Sequence, residues 1–195
     1  MVTIRQVTAD DWPVWRDVRL AALEEAPHAY NSRLADWATA ARTGGVRGWR
    51  SPARTTPVAF ADARPVGVVR GVPHDDGTSE LHSMWVSPDV RGQGVGDRLM
   101  AAVEEWAVRN GHTTLTLAVF PANDAALALY RRHGYVDTGE QGGLLRDGVT
   151  RELVLAKPLR PAASATPWRA ADGRSPSGGR TGRRSGRGGS RSPGR

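Results

Sequence analysis

The sequence predicts one α/β domain, α+β in detail, around a mixed, mostly antiparallel twisted sheet, followed by a disordered C-terminal tail. Three observations predict it. Two closely spaced hairpin patterns lie between residues 57 and 86, and a glycine-rich turn at 91–96 joins the last of their strands to an amphipathic helix. Residues 173–195 contain only Gly, Arg, Ser, Pro and Thr, which bury too little to offset the entropy of ordering.

The elements follow in order. Residues 3–7 alternate as a short strand. Asp10 or Asp11 caps the next helix, and Pro13 lies in its first turn, where a missing N–H costs nothing. Trp15, Val18 and Ala22 form its apolar face, and Pro27 ends it. Residues 28–50 read as a loosely helical segment and loop, with Trp37 and Trp49 as candidates to line an acceptor site.

Strands are expected at 57–61 and 65–72 around Asp62-Ala63-Arg64, and at 80–86 after the turn Pro73-His74-Asp75-Asp76-Gly77. Past the glycine turn, Leu99, Val103 and Trp106 recur at i, i+4 and i+7 on a helix closed by Asn110-Gly111. Residues 113–120 alternate as a strand with two chemically distinct faces. Asn123 or Asp124 caps the next helix, whose last turn Arg131-Arg132-His133 suits the negative helix end before Gly134. Tyr135 starts a strand, Asp147-Gly148 marks a hairpin, and the last strand covers 152–156. The order β-α-α-β-β-β-α-β-α-β-β is neither a chain of β-α-β units nor a sandwich.

Composition narrows the chemistry. There is no cysteine, which excludes disulfides, thiolate catalysis and Cys-based metal sites. No stretch approaches the roughly 18 apolar residues of a membrane span, so the expectation is a cytoplasmic protein without a membrane partner. The formal charge of +7 sits in the tail: residues 161–195 hold eight of the 27 basic residues and one acid, Asp172, leaving 19 of each sign in 1–160. A partner inferred from charge is therefore a partner of the tail. Its Arg-Gly-Ser segment either binds polyanions weakly through phosphates or is a solvated appendage.

A glycine turn opening a helix is an anion site, because consecutive backbone N–H groups point outward and glycines let a phosphate approach. Gly96 is followed by Asp97-Arg98 and not by Lys-Ser/Thr, which excludes a nucleotide-hydrolysing P-loop; the spacing Gly92-x-Gly94-x-Gly96 departs from the dinucleotide fingerprint.

The run 81–88, Leu-His-Ser-Met-Trp-Val-Ser-Pro, leading into Arg91-x-x-Gly94-x-Gly96, resembles the acetyl-CoA motif Q/R-x-x-G-x-G/A of GNAT acetyltransferases. Leu117-Ala118-Val119, Asn123, Ala126, Tyr130 and Gly134-Tyr135 resemble the second CoA-binding segment of that family, so the resemblance covers residues 3–157. It implies a GNAT fold at 1–160, with six or seven strands flanked by about four helices, and the tail at 161–195. It implies acetyl-CoA as acyl donor, no metal, and direct attack by an amine. Arg91, Gly92, Gln93, Gly94, Val95 and Gly96 would bind the pyrophosphate through backbone amides. Trp85 and Val86 would bond the pantetheine arm, on a strand splayed from its neighbour. Tyr130 matches the residue that protonates the departing thiolate, although an aromatic on an amphipathic helix also serves as core. Asn123 divides between CoA contact and helix cap.

A fixed N–H, that of Val86, would stabilise charge on the thioester oxygen, and an amine must lose a proton near neutral pH. Glu80 and His82 are the candidates for that base, directly or through water, and either also suits a solvated strand. The acceptor is expected to be a small-molecule amine in preference to a protein amine, because neither the region before residue 60 nor the loop at 140–146 carries an acidic patch for a basic peptide. Monomer and homodimer are both compatible with the sequence. The rival reading is a noncatalytic CoA-binding or nucleic-acid-associated regulatory protein acting through its tail; Tyr130 and the intact glycine turn favour catalysis.

Overall fold

The alternating apolar segments between residues 2 and 158 form one seven-stranded sheet. The structure is a computed structural model that describes residues 1–37 and 53–159, all within the unit Met1–Ser164. Trp49, the boundary at 160 and the expected tail lie outside the described residues. The strands are β1 (Val2–Gln6), β2 (Pro57–Ala61), β3 (Arg64–Pro73), β4 (Thr78–Val86), β5 (Thr114–Val119), β6 (Val136–Leu144) and β7 (Arg151–Pro158). The helices of nine or more residues among those described are α1 (Trp12–Glu25), α2 (Val95–Arg109) and α3 (Asp124–Arg132). The sheet order is β1-β2-β3-β4-β5-β7-β6. Every pairing is antiparallel except β4 with β5.

Each face of the sheet buries one helical layer. On one side, Trp15, Val18 and Ala22 of α1 pack on Val58, Val68 and Trp85. On the other, Leu99, Val103 and Trp106 of α2 and Leu127 and Tyr130 of α3 pack with Val66, Val69, Leu115 and Leu117. Each such side chain contributes about 1.5–3 kcal/mol when fully buried. Trp37 joins the first layer, its ring 6.1 Å from Trp12 and 6.2 Å from Trp15, so it serves packing beside α1. No helix among the described residues is long and apolar enough to cross a membrane.

One irregularity positions the site. In the β3–β4 ladder Val68 faces Trp85 but Arg70 faces His82, so β4 carries one more residue than β3 across this interval. Ser83 takes it up at φ 56°, in the left-handed region, as a β-bulge does. A bulge reverses the phase of side-chain alternation. Leu81 therefore belongs to the α2-side core while Trp85, an even number of residues on, belongs to the α1-side core. The parallel ladder to β5 also stops at the bulge: it runs only from Thr78↔Thr114 to Leu81↔Leu117, and the rest of β4 parts from β5.

The α2 layer has no slack at Gly71 in β3. A Cβ there would lie 2.6 Å from Trp106 Cζ3 and 2.7 Å from Thr55 Cγ2. Gly71→Ala is expected to cost about 1–3 kcal/mol by overpacking, read as a lower urea midpoint with an unchanged slope.

Candidate active site

The glycine turn becomes the start of α2. Gly92 and Gly94 sit at φ 74° and 73°, and a Cβ on either would meet nothing within 4 Å. Glycine is thus required here by backbone conformation, and its bare face is open. The first helical bond runs from the Arg98 N–H to the Gly94 carbonyl at 3.1 Å, which leaves the N–H groups of Val95, Gly96 and Asp97 without an intrahelical acceptor. No side chain caps this end. The Asp97 carboxylate turns to Arg132 (2.8 Å) and His133 (3.0 Å); burial opposes its ionisation, and these bonds outweigh it and lower its pKa. The arrangement fits a pyrophosphate: uncapped N–H groups at a positive helix end beside glycines.

Arg91 and Gln93 hold the turn through their side chains. Arg91 Nε donates to the Val86 carbonyl (2.9 Å) and Nη2 to Glu25 Oε2 (2.7 Å), and Gln93 Nε2 donates to the Asp89 carbonyl (3.2 Å). Glu25 Oε2 also accepts from Trp85 Nε1 at 3.0 Å. Burial opposes ionisation of Glu25, but the bonds from Trp85 and Arg91 outweigh it and hold its carboxyl below the usual range. The C-terminus of α1 is thereby tied to both the strand and the turn.

Two expected cofactor residues on β4 differ in exposure. The Ser87 N–H donates to the Val66 carbonyl (2.8 Å), and antiparallel alternation then turns the Val86 N–H away from β3, toward the side where β5 has separated. Trp85, by the same alternation, faces β3 with its backbone, and its indole is buried under α1.

A cleft of about 740 Å³ runs from the glycine turn past Val86 and Met84 to Asn123 and Tyr30. There it meets a second cavity of about 240 Å³, which Tyr30, Met84, Asn123 and Ala126 also line. Asn123 is the cap of α3, its Oδ1 accepting from the Ala126 N–H at 3.1 Å. Tyr130, Glu80 and His82 all line the smaller cavity. Tyr130 is 6% exposed, and burial raises its hydroxyl pKa well above the ordinary tyrosine range, so it stays protonated. Its ring also packs in the α2-side core, 6.1 Å from Tyr135. Glu80 Oε2 lies 3.0 Å from His82 Nε2 and 3.5 Å from His74 Nε2. The hydrogen bond from His82, ahead of the opposing effect of burial, lowers the Glu80 pKa.

Tyr30, Glu152 and Arg19 line this cavity and were not among the sequence candidates. Tyr30, in the segment read as loop, donates to the Met84 carbonyl at 2.8 Å. Glu152 of β7 accepts from Asn31 Nδ2 and the Gly143 N–H, both at 3.2 Å. Burial, with a further push from the Glu80 charge, raises its carboxyl pKa. Arg19 of α1 completes the set. The cavity thus has acidic groups, supplied by β4 and β7, segments the acceptor argument from sequence did not weigh. Among the described residues no cluster of three or more His, Asp or Glu is arranged to hold a metal ion.

The profile of the Acetyltransferase (GNAT) family matches residues 4–135, and the chain belongs to that family. A mycothiol acetyltransferase of Clavibacter sepedonicus is 32% identical over 136 residues, 70% of this chain and 43% of the relative; the chain thus spans less than half of that protein. An IAA acetyltransferase of Azospirillum brasilense is 32% identical over 107 residues, 52% of this chain and 69% of that protein. Among solved structures, a PaiA N-acetyltransferase of Thermoplasma acidophilum, in complex with coenzyme A, superposes with a TM-score of 0.62 at 15% identity, over 81% of this chain and 99% of that one. It shares the fold.

Glu25→Gln tests the tie between α1 and the turn. A depressed carboxyl stabilises the fold above its unfolded pKa, and that contribution is lost as pH falls through the folded pKa. The variant is expected to be less stable by about 1 kcal/mol at pH 7, after discounting for partial exposure. The difference closes only as pH falls below the usual carboxylate range and through the depressed folded pKa, where wild-type Glu25 takes up its proton; urea unfolding at pH 7 and along a descending pH series reads it.

Proposed function

We propose that the chain transfers an acetyl group from acetyl-CoA to the primary amine of an acceptor held in the smaller cavity. The observation that carries this reading is the junction of the two clefts at Tyr30, Met84, Asn123 and Ala126. An anion-binding turn at the far part of one cleft is thereby connected to a proton donor and an imidazole-carboxylate pair in the other. Acetyl-CoA, when bound, supplies an acyl carbon already activated by a thiolate leaving group.

The chain's own residues do the rest. Backbone N–H groups of residues 92–96 hold the pyrophosphate; Arg91, expected from sequence to join them, spends its own N–H on the Pro88 carbonyl (3.3 Å) and fixes the turn through its side chain, and Asn123 keeps α3 in place while lining the route between the clefts. The Val86 N–H is aimed into the splay, where it can bond the pantetheine arm or a developing oxyanion. Trp85 contributes by packing the strand. His82 takes the proton of the acceptor amine through Nδ1, since Nε2 is engaged by Glu80. Glu80, with its lowered pKa, is a weak base toward an ammonium and works better by orienting the imidazole. The Tyr130 O–H gives its proton to the departing sulfur. One C–N bond forms as one C–S bond breaks, with the amine proton going to His82 and the tyrosine proton to the thiol.

The relatives are named for different acceptors and select none. A cavity of about 240 Å³ favours a small molecule over an amine presented on a protein surface.

Titration calorimetry with acetyl-CoA tests the donor site. Micromolar binding is expected, and it should be abolished in the double variant Arg91→Glu, Gly94→Asp. Absence of binding by folded wild type would remove the proposal.

Tyr130→Phe is expected to lower kcat by about 10²-fold with the KM for acetyl-CoA unchanged; full activity would make the ring a core residue only. His82→Ala should lower kcat/KM by a similar factor. An acid limb of the pH profile that persists unshifted in His82→Ala would assign the base elsewhere.

A further inference from the structure

Arg19 is a charge on the wrong face of its helix. It lies with Trp15, Val18, Ala22 and Leu23 on the buried side of α1 and is 6% exposed. Its guanidinium stacks on Tyr30, with Cζ 4.4 Å from the ring centroid, yet Nη1 is buried with no hydrogen-bond partner. No carboxylate among the described residues lies within ion-pair distance, and Tyr30, whose hydroxyl pKa burial pushes up to about 12, is neutral. The internal segment 38–52, which lies outside the described residues, contains no Asp or Glu to complete a pair. A buried cation that has aromatic rings but no counter-ion beside it opposes folding, and a charge kept in a cavity at that cost marks a candidate ligand-binding group.

The surroundings sharpen the cost. Burial, and then the positive charges of Arg54 and Arg19, push the Arg70 guanidinium down to about 10. Arg19 nonetheless lines the same cavity as Tyr130, His82, Glu80 and Glu152. That cavity therefore offers a planar cation with unused donors together with carboxylates that suit an ammonium. A guanidinium pairs with an oxyanion through parallel N–H···O bonds. One guanidinium facing two glutamates matches a monoanion better than a phosphate dianion.

We propose that Arg19 anchors a carboxylate carried by the acceptor, so that the acceptor is a small amino-acid-like molecule with its amine presented to Tyr130 and His82. This rests on the acetyl-transfer reading above and adds the acceptor's chemical class. Arg19 is a specificity residue: it selects the acceptor and takes no part in proton transfer.

The test follows thiol release from acetyl-CoA with matched acceptors: lysine against cadaverine, histidine against histamine, phenylalanine against phenethylamine, and phosphoethanolamine against ethanolamine. The carboxylated member of a pair should be used with a kcat/KM at least about tenfold above its decarboxylated partner. Arg19→Met should raise the acceptor KM by about 10- to 100-fold, leave the KM for acetyl-CoA unchanged, and melt no lower than wild type, because it removes a buried unpaired charge. A merely structural arginine would lose stability and leave the acceptor KM in place. Arg19→Lys, which keeps the charge but not the fork, should recover part of the acceptor affinity.

Equal use of both members of each amino-acid pair, or an acceptor KM indifferent to Arg19→Met, overturns the proposal; preference confined to phosphoethanolamine overturns the carboxylate in favour of phosphate. If no pair is turned over, melting of the CoA-saturated protein with the same compounds decides. Stabilisation by carboxylated members in wild type but not in Arg19→Met supports the anchor, and its absence sinks it. Failure to bind acetyl-CoA is seen separately in the calorimetry, and would bring down the acetyl-transfer reading and the anchor together.

Discussion

Everything at the site depends on the extra residue that β4 accommodates at Ser83. A regular strand would continue its parallel ladder along β5, and Met84 and Val86 would spend their N–H groups on sheet bonds. With Ser83 in the left-handed region, the ladder ends at Leu81 and Leu117, and the backbone beyond it is left with hydrogen-bonding capacity facing a cleft. The same residue inverts side-chain phase, which is how Glu80 and His82 share the α1 face while Trp85, an odd number of positions later, also packs under α1. A non-glycine residue in this conformation costs of order 1–3 kcal/mol, and the cores on both faces of the sheet are what hold it there.

The ends of the wedge are then locked by charge. Glu25 accepts from Trp85 on the strand and from Arg91 on the turn, and Arg91 in turn holds the Val86 carbonyl. The donor side of Val86 is thus kept free while its acceptor is satisfied. On the other flank Arg132 and His133 draw Asp97 away from the helix N-terminus. An acid in the first turn ordinarily answers the positive end of the helix dipole; here it is engaged sideways, and the N–H groups stay available for an external anion.

Local signals made most of the fold legible. Asp62-Ala63, Asp147-Gly148 and Asn110-Gly111 are turn chemistry, and the structure puts positive φ at Asp62, Ala63, Gly148 and Gly111. The glycine turn and the Asn123 cap follow from sequence for the same reason, since backbone geometry there depends on neighbours in the chain. The bulge carried no such mark: Ser83 is flanked by His82 and Met84, with no glycine, proline or asparagine to announce it. Nor could alternation reveal that β7 inserts between β5 and β6, which is what carries Glu152 to the cavity. Non-local pairing is decided by the packing of whole faces, and no window of sequence contains it.

Arg19 was legible in a way that apolar counting passes over. It falls four residues after Trp15 and one after Val18, within the stripe that a 3.6-residue period turns toward the core. Counting apolar positions assigns the face correctly and ignores the arginine among them. A charge inside an apolar stripe carries more information than the stripe, because burial without a partner opposes folding. In this chain the described acids near the cleft are already committed: Glu25 to Arg91, Asp97 to Arg132, Glu80 to His82, and Glu152 to Asn31 and Gly143. The distribution of bonds therefore leaves a guanidinium with unused donors inside the cavity where chemistry requires an amine, and those donors, more than the net charge of the cavity, call for an acceptor that brings a carboxylate.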